Sequence, residues 1–325
     1  MATSLLLSPT AAGKLQEINQ APPAAATLRT AKDAGVLRKS RNKERSNWRI
    51  AAFVVEDPAG VAVKNAKAVE RKLRRNTISR GFSFSAAALL FPYHTGVAQF
   101  LIEKDYINER VPLAGSSAGA ITSAAIASGI SMEEGLRAAK KLAEDCRLHG
   151  TLFRLAKLLQ AVLRDTLHRI LPNDAHIRCS GRVRVAITQI HNFIPNALLV
   201  DQFESKEDLI NALLASSFIP GYLSPMPATV FRNHLCIDGI FTHFIPPTSA
   251  PQTIGVSAIP GLMGLQDIRF ISPDCNPPHR ANLFQYLNWA CWPAEEGVLE
   301  RLFECGYLDA KVWDHQITSS TLLHS

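Results

Sequence analysis

The stretch that decides the fold is VPLAGSSAGAITSAA, residues 111–125. A short apolar segment leads through Gly-Ser-Ser-Ala-Gly into a run of small, uncharged residues. This order predicts a strand over 111–114, a sharp turn, and a helix over 118–129. Because the residues of that helix are small, we expect it to pack closely against a sheet.

The turn itself has the pattern G-x-S-x-G, in which a serine is presented between a strand and a helix. Its two glycines are Gly115 and Gly119, so the central residue is Ser117 and not Ser116. Free N–H groups at the start of the helix favour negative charge that develops there. The pattern predicts that Ser117 is a nucleophile; the alternative is a small-residue start to a buried helix.

A nucleophilic serine needs a base and an oxyanion site. The chain has ten histidines, but none stands in a setting that selects it, and we interpret His94, His234 and His243 as structural. Asp238 in CIDGIFTHFIPP (236–247) is the better candidate, because an Asp-Gly pair after an apolar strand places a carboxylate at a chain turn, where sites are built. The alternative is an Asp-Gly turn without chemistry.

Apolar strand-like segments alternate with helical ones around these two motifs. We predict strands within 81–91 and over 111–114, 182–190, 197–203, 234–240 and 252–259. We predict helices over 95–106, 118–129, 131–146, 151–171, 205–217, 283–290 and 295–307. Pro92 and polar residues interrupt the apolar run 81–102, so it is not interpreted as a transmembrane span. The alternation predicts an α/β protein with one mainly parallel sheet wrapped on both faces.

The charge is unevenly distributed. Of 35 basic and 28 acidic residues, 16 and 6 fall in residues 1–80, so residues 81–325 carry 19 and 22. A nucleic-acid-binding function of the body therefore lacks its electrostatic footprint. The 325 residues are 47% hydrophobic, which suits one large domain with a tail.

Residues 1–50 are rich in Ala, Ser, Thr and basic residues and poor in acidic ones, with no apolar segment of secretory length. This composition predicts an organellar transit peptide, plastid ahead of mitochondrion; the alternative is a solvated basic tail. Without a plastid address, we expect a cytoplasmic or lipid-droplet or membrane-associated protein. We assign residues 51–76 as a linker or basic helix and 77–325 as the folded domain.

The six cysteines are widely spaced and form no C-x-x-C pair. This spacing argues against a zinc ribbon or a disulfide framework and predicts reduced, buried thiols. They are Cys146, Cys179, Cys236, Cys275, Cys291 and Cys305.

Residues 81–125 joined to 212–247 resemble the patatin-like phospholipase family, with leanings to plant plastid members and to the adiponutrin and triglyceride-lipase branch. GSSAG resembles the nucleophile motif of that family, and Asp238-Gly239 its Asp-Gly-Gly/Ala motif. LLASSFIPGY (213–222) is similar to the segment before that carboxylate. The resemblance implies a three-layer α/β/α sandwich with a mainly parallel sheet.

The resemblance implies that Ser117 is the nucleophile and Asp238 the general base of a Ser–Asp dyad. Such a dyad needs no metal or cofactor, and it would cleave fatty-acyl esters of phospholipids, galactolipids or triacylglycerols. Gly115, Gly119 and Gly239 would support the two motifs. The implied partners are an acyl lipid and the surface of a membrane or lipid droplet. We expect the amphipathic helix 151–171 either to contact that surface or to pack onto the sheet by its leucines.

The oxyanion loop departs from the family pattern. The resemblance places oxyanion donors at Ala86, Ala87 and Ala88, where the family has glycines, together with Ala118. Alanine retains its N–H, but a positive φ costs it roughly 1 kcal/mol or more.

Two further positions depart from the family pattern. Leu90 stands in place of a basic residue, and Ile240 stands in place of a small one.

Two functional hypotheses follow from the resemblance and its departures. One is a working acyl hydrolase; the other is a weakly active or inactive patatin-fold protein that binds acyl lipids. A third hypothesis is an α/β-hydrolase with a Ser–Asp–His triad. It would require a catalytic histidine late in the sequence, such as His279 or His315.

Overall fold

One eight-stranded sheet organises the described part of the chain. The computed structural model describes residues 80–148, 152–222, 226–261 and 267–323, which all fall in one compact unit, Ala66–Ser325. The predicted transit peptide (1–50) and linker (51–76) lie outside the described residues and stay predictions.

The sheet contains both parallel and antiparallel pairs. Its strands are β1 Arg80–Phe84, β2 Leu113–Ser116, β3 Val183–His191, β4 Ile194–Val200, β5 Thr229–Phe231, β6 His234–Asp238, β7 Gln252–Val256 and β8 Phe270–Ile271. Their order is β5-β6-β3-β2-β1-β7-β8, with β4 also paired to β3. The pairs β1–β2, β1–β7, β2–β3 and β7–β8 are parallel, and the pairs of β3–β4, β3–β6 and β5–β6 are antiparallel.

Helices pack on both sides of this sheet, which confirms the predicted α/β class with a mostly parallel sheet. The helices of the described residues are α1 Phe91–Glu103, α2 Ala118–Ser128, α3 Met132–Leu148, α4 Leu152–Ile170, α5 Ala175–Cys179, α6 Lys206–Ser216, α7 Leu283–Cys291 and α8 Glu296–Leu323. Short 3-10 helices span Ala88–Leu90, Gly239–Phe241, Pro273–Cys275 and Pro277–His279.

The register of β3 brings the ends of β2 and β6 together. β2 pairs with the first half of β3, where Ser116 lies opposite Ala186, and β6 pairs with the second half, where Asp238 lies opposite Ile187. β4 overlaps both stretches and therefore occupies the other edge of β3. Because β2 runs parallel and β6 antiparallel to β3, their carboxyl ends meet at neighbouring residues of β3.

The core forms around β1 and the two helices α1 and α8. Phe82 stacks edge-on against Trp313 of α8, and Phe84 stacks edge-on against His94 of α1. Tyr93 of α1 is fully buried and donates a hydrogen bond to Asp309 of α8 at 2.8 Å. These contacts fix α1, and with it the loop that connects β1 to α1.

Several predicted boundaries are wrong. α1 begins at Phe91 and not at 95, because Pro92 occupies the first helical turn, where a missing N–H leaves no bond unmade. The strand predicted over 197–203 is β4, Ile194–Val200, because it pairs with β3 from the tip of a hairpin. The last helix extends to Leu323, since packing against α1 and β8 supports it beyond the predicted end at 307.

The thiols and the fourth helix differ in part from expectation. Six buried thiols were predicted, but only Cys146, Cys179 and Cys236 are buried, while Cys275 and Cys305 are half-buried. Cys291 is exposed, because it lies on the outer side of α7. In α4, Leu163 and Leu167 are buried, so the second half of this helix packs by its leucines. Among the described residues, no helix is both long and apolar enough to cross a bilayer.

Candidate active site

The turn between β2 and α2 holds Ser117 in an unusual backbone conformation. Its φ is 55° and its ψ is −126°, a region that L-residues other than glycine rarely occupy. Gly115 and Gly119 make this turn possible, because neighbouring backbone lies too close to each of them to leave room for a side chain. A Cβ on Gly115 would stand 2.2 Å from the carbonyl carbon of Gly119, and one on Gly119 would stand 2.1 Å from the carbonyl oxygen of Phe84.

The two serines of the turn have different surroundings. Ser117 lines an apolar cavity, whereas Ser116 is fully buried at the end of β2. The hydroxyl of Ser116 faces Gly239, where an added Cβ would stand only 2.6 Å from its oxygen. The structure therefore gives Ser117, and not Ser116, access to a ligand in the cavity.

A third serine holds Ser117 in place. The backbone N–H of Ser117 donates to the Oγ of Ser216 at 2.9 Å, and this hydroxyl donates to the carbonyl oxygen of Ala186 at 2.6 Å. Ser216 is fully buried at the end of α6. It ties the strained turn to β3, and the sequence reasoning missed it because nothing in ALLASS separates Ser216 from its neighbour.

Asp238 is buried at the end of β6, beside the turn. Its Oδ1 accepts a hydrogen bond from the backbone N–H of Ile240 at 2.8 Å. Burial raises the pKa of Asp238 to about 7, and hydrogen bonding from the Ile240 N–H and the Ser117 hydroxyl offsets part of that rise. Oδ2 of Asp238 is buried and meets no hydrogen-bond partner among the described residues. Hydrogen bonds between a nucleophile and its base are often long before substrate binds.

The residues after Asp238 fit the turn without strain. A Cβ on Gly239 would stand 2.4 Å from the carbonyl oxygen of Ala186, so this position requires glycine. The side chain of Ile240 is 38% exposed, and its backbone N–H donates to Asp238. The bulky residue at this position therefore keeps a backbone hydrogen bond to the carboxylate.

Where the structure describes them, the histidines considered from the sequence do not line the cavity of Ser117. His94 is fully buried, its Nε2 lies 3.4 Å from the Oγ of Ser85, and burial lowers its pKa to about 3, which keeps the ring neutral. His234 and His315 are exposed. No histidine of the described residues lines the cavity that contains Ser117, so nothing there supports a Ser–Asp–His triad.

The four alanines predicted as oxyanion donors differ in availability. The Ala86 N–H already donates to the carbonyl oxygen of Phe244 at 3.1 Å, which leaves it no donor for an oxyanion. Ala88 lies in the cavity wall with φ 47°, so one position of the loop does adopt the positive φ. Ala118 also lines the cavity as the first residue of α2, where N–H groups have no partner within the helix. Ala87 is buried behind them, with φ −148°.

The cavity is almost entirely apolar. Its volume is about 110 Å³, and it is partly open to solvent. Small residues of α2 and α3 form one wall, and Leu163, Leu167 and Ile170 of α4 form another. Tyr222, Ala294 and Leu299 line it as well. Its apolar lining suits the aliphatic chains of a ligand.

The sequence also matches a known family. The family model of patatin-like phospholipases matches residues 82–251, which is more than half of the chain. The chain belongs to the patatin-like phospholipase family. The match covers both the turn with Ser117 and the strand end with Asp238.

Curated relatives fall in the same family. Human patatin-like phospholipase domain-containing protein 4 is 30% identical over 239 residues, which cover 70% of this chain and 93% of the relative. Mouse omega-hydroxyceramide transacylase is 28% identical over 74% of this chain and 41% of its own length. Human 1-acylglycerol-3-phosphate O-acyltransferase PNPLA3 is 29% identical over 70% of this chain and 49% of its own length. The match thus spans about half or less of the length of the last two relatives.

Solved structures show only distant similarity. The ExoU–SpcU complex of Pseudomonas aeruginosa matches at 14% identity and a TM-score of 0.36, covering 74% of this chain and 52% of that chain. VipD of Legionella pneumophila matches at 13% identity and a TM-score of 0.35, covering 57% and 51%.

Proposed function

We propose that this patatin-like protein is a lipid acyl hydrolase in which Ser117 is the nucleophile and Asp238 the general base. The observation that carries the proposal is that Ser116, next to Ser117, and Asp238 pair with adjacent residues of β3, beside an apolar cavity that Ser117 lines. The family has members named as phospholipases and as acyltransferases, which supports acyl chemistry on lipids.

The proposed reaction runs in two steps. Ser117 Oγ attacks the ester carbonyl carbon and passes its proton to Asp238. The tetrahedral intermediate then collapses, the alcohol of the lipid leaves with the proton from Asp238, and an acyl-serine remains. Water next attacks the acyl-serine, giving its proton to Asp238, and the fatty acid leaves as Ser117 regains its proton. A carboxylate with a pKa near 7 suits both transfers at neutral pH.

The oxyanion of this intermediate would be bound by the N–H groups of Ala88 and Ala118. Both residues line the cavity next to Ser117. The start of α2 adds a favourable dipole for negative charge at the same place. The N–H groups of Ala86 and Ser117 are not available to bind the oxyanion, because each already donates a hydrogen bond to another residue.

Two alternatives have specific support. Acyl transfer to a lipid alcohol in place of water is favoured by the names of the mouse transacylase and the human acyltransferase. A weakly active or inactive lipid-binding protein is favoured by the positive φ at Ala88, which strains the loop that glycine would occupy freely. Phospholipids, galactolipids and triacylglycerols remain the proposed substrates, with contact at a membrane or droplet surface and a plastid location as predictions.

The test is product analysis with the full chain on micelles of phospholipid, galactolipid and triacylglycerol, with and without an added lipid alcohol. Free fatty acid that disappears in Ser117→Ala supports the hydrolase, and an acylated alcohol that disappears in the same variant supports the transferase. Release only after Ala88→Gly supports the inactive scaffold. Equal release by the unaltered protein and Ser117→Ala would overturn the proposal.

A further inference from the structure

Helix α7 carries an apolar face whose side chains are exposed or half-exposed. Leu283, Leu287 and Cys291 recur every four residues, and Phe284 lies beside them, so all four side chains fall within about 100° of the helix surface. Phe284 is 80% exposed, and Trp292, which follows the helix, is 52% exposed. Residues 281–294 include no charged residue.

The same helix lies at the rim of the cavity. α7 packs against the 3-10 helix Ala88–Leu90, whose first two residues line the cavity. The Tyr222 hydroxyl, on a residue that lines the cavity, donates to the carbonyl oxygen of Cys291 at 3.0 Å. Ala294, just beyond the helix, lines the cavity too. α7, the helix that carries the apolar face, therefore packs against elements that line the cavity of Ser117.

We infer that this apolar face of α7, which comprises Leu283, Phe284, Leu287, Cys291 and Trp292, is the surface by which the protein docks on a lipid aggregate. The inference rests on the proposed function for its occupant, because a substrate with long acyl chains is presented in a membrane or droplet and must be drawn from it. Exposed aromatic and aliphatic side chains on one side of a helix are the type that enters the boundary between head groups and acyl chains.

Two other occupants fit less well. A second copy of this chain would need roughly 20–30 contact residues a side for a stable dimer, and this face supplies five on a short helix. An anionic surface alone would need basic residues, and residues 281–294 have none. Docking through α7 therefore depends on apolar insertion, and we expect it to tolerate added salt.

The hairpin between β3 and β4 is the rival surface and also supplies the matched control. Phe193 at its tip is 98% exposed, and Ile194 is exposed beside it. Neither lines the cavity of Ser117. The variants Phe284→Ser/Leu287→Ser and Phe193→Ser/Ile194→Ser each remove one phenylalanine and one aliphatic side chain from exposed positions.

The experiment is co-sedimentation of the full chain with phosphatidylcholine vesicles, with and without phosphatidylglycerol, at low and high salt. We expect the α7 variant to bind about tenfold more weakly or worse, because two apolar side chains no longer leave water, while the hairpin variant binds as the unaltered protein does. Equal binding by the α7 variant, loss in the hairpin variant, or no binding by the unaltered protein would overturn the inference, as would binding that requires phosphatidylglycerol.

Sedimentation is repeated in the Ser117→Ala background, so that docking is measured without turnover. Binding through α7 with no fatty-acid release by the unaltered protein would support docking and contradict the proposed hydrolase. Fatty-acid release by the unaltered protein, together with undiminished vesicle binding by the α7 variant, would support the proposed hydrolase and contradict docking through α7. Circular dichroism of each variant excludes unfolding as the cause of lost binding.

Discussion

The backbone N–H of Ser117 and the hydroxyl of Ser216 are joined by a buried hydrogen bond of 2.9 Å. Because Ser216 donates onward to the carbonyl oxygen of Ala186 at 2.6 Å, one hydroxyl links the turn of the nucleophile motif to the central strand β3. The same strand lies opposite Asp238 one residue further on. Ser216 therefore ties the turn of the proposed nucleophile to the strand that also pairs with the proposed base.

Replacement of Ser216 tests this link. Ser216→Ala leaves the buried N–H of Ser117 and the carbonyl oxygen of Ala186 without their shared partner, which costs about 1–3 kcal/mol of unfolding free energy. We expect kcat to fall by an order of magnitude or more, since small displacements of a reacting group have large effects. Urea unfolding and steady-state kinetics measure the two effects.

The neighbouring serine is the control for this prediction. Ser217 is also buried, but its Oγ meets no hydrogen-bond partner among the described residues. Removing an unsatisfied buried hydroxyl should leave stability unchanged or raise it slightly. Equal destabilisation by Ser216→Ala and Ser217→Ala would refute the linking role of Ser216.

The oxyanion loop gives a second prediction, based on backbone conformation. Ala88 has φ 47° and Ala87 has φ −148°. Ala88→Gly relieves a strain of roughly 1–2 kcal/mol, less the backbone entropy that glycine loses on folding. Ala87→Gly brings the entropic cost alone, about 0.5–1 kcal/mol. We expect the first variant to be more stable than the second by about 1–2 kcal/mol in urea unfolding; the opposite order would show that Ala88 is not strained.

The buried carboxyl of Asp238 predicts how the reaction depends on pH. Burial raises the pKa of this group to about 7, and only its deprotonated form accepts a proton from Ser117. We therefore expect kcat/KM to rise with pH and to level off above a midpoint near 7. A profile that is flat between pH 5 and 8, or that falls as pH rises, would argue against Asp238 as the base.

Asp309 predicts how stability depends on pH. Burial raises its pKa to about 8, with a smaller opposing effect of the hydrogen bond from Tyr93. The folded state therefore keeps a proton that the unfolded state releases above about pH 4, so unfolding free energy should fall as pH rises from about 4 to about 8. The slope from this group approaches about 1.4 kcal/mol per pH unit.

Asp309→Asn keeps an acceptor for Tyr93 and removes the titration. Between about pH 4 and 8, we expect the unfolding free energy of this variant to fall less steeply with pH than that of the unaltered protein. Asp238 contributes part of the pH dependence that remains below pH 7. Unfolding curves at a series of pH values make the comparison. An unchanged slope would show that Asp309 is ionised in the folded protein.

Both residues of the candidate site were singled out from local sequence, and their catalytic roles stay predictions. G-x-S-x-G after an apolar strand located Ser117, and Asp-Gly at the end of another strand located Asp238, because both patterns describe the backbone around one residue. The meeting of the two depends on the register of β3, which no local pattern encodes. Ser216 and Ser217 are adjacent in sequence, and only tertiary contacts tell which hydroxyl is bonded.

Other differences have tertiary causes as well. The Ala86 N–H is engaged by Phe244, a contact over more than 150 residues of chain. The length of α8 comes from packing against α1, since its sequence alone indicated an end near 307. The sequence predicted a helix over 283–290, but which of its side chains stay exposed depends on what packs against the helix in the folded protein.

The most direct test of the central claim is covalent labelling by a fluorophosphonate, followed by mass spectrometry of the labelled peptide. The unaltered chain, Ser117→Ala and Ser116→Ala would be compared, because Ser116 is the adjacent hydroxyl and faces Gly239 instead of the cavity. We predict label on Ser117 in the unaltered protein and in a folded Ser116→Ala, and none in Ser117→Ala. Label that persists in Ser117→Ala, or no label on the unaltered protein, would contradict the assignment of Ser117 as an activated nucleophile.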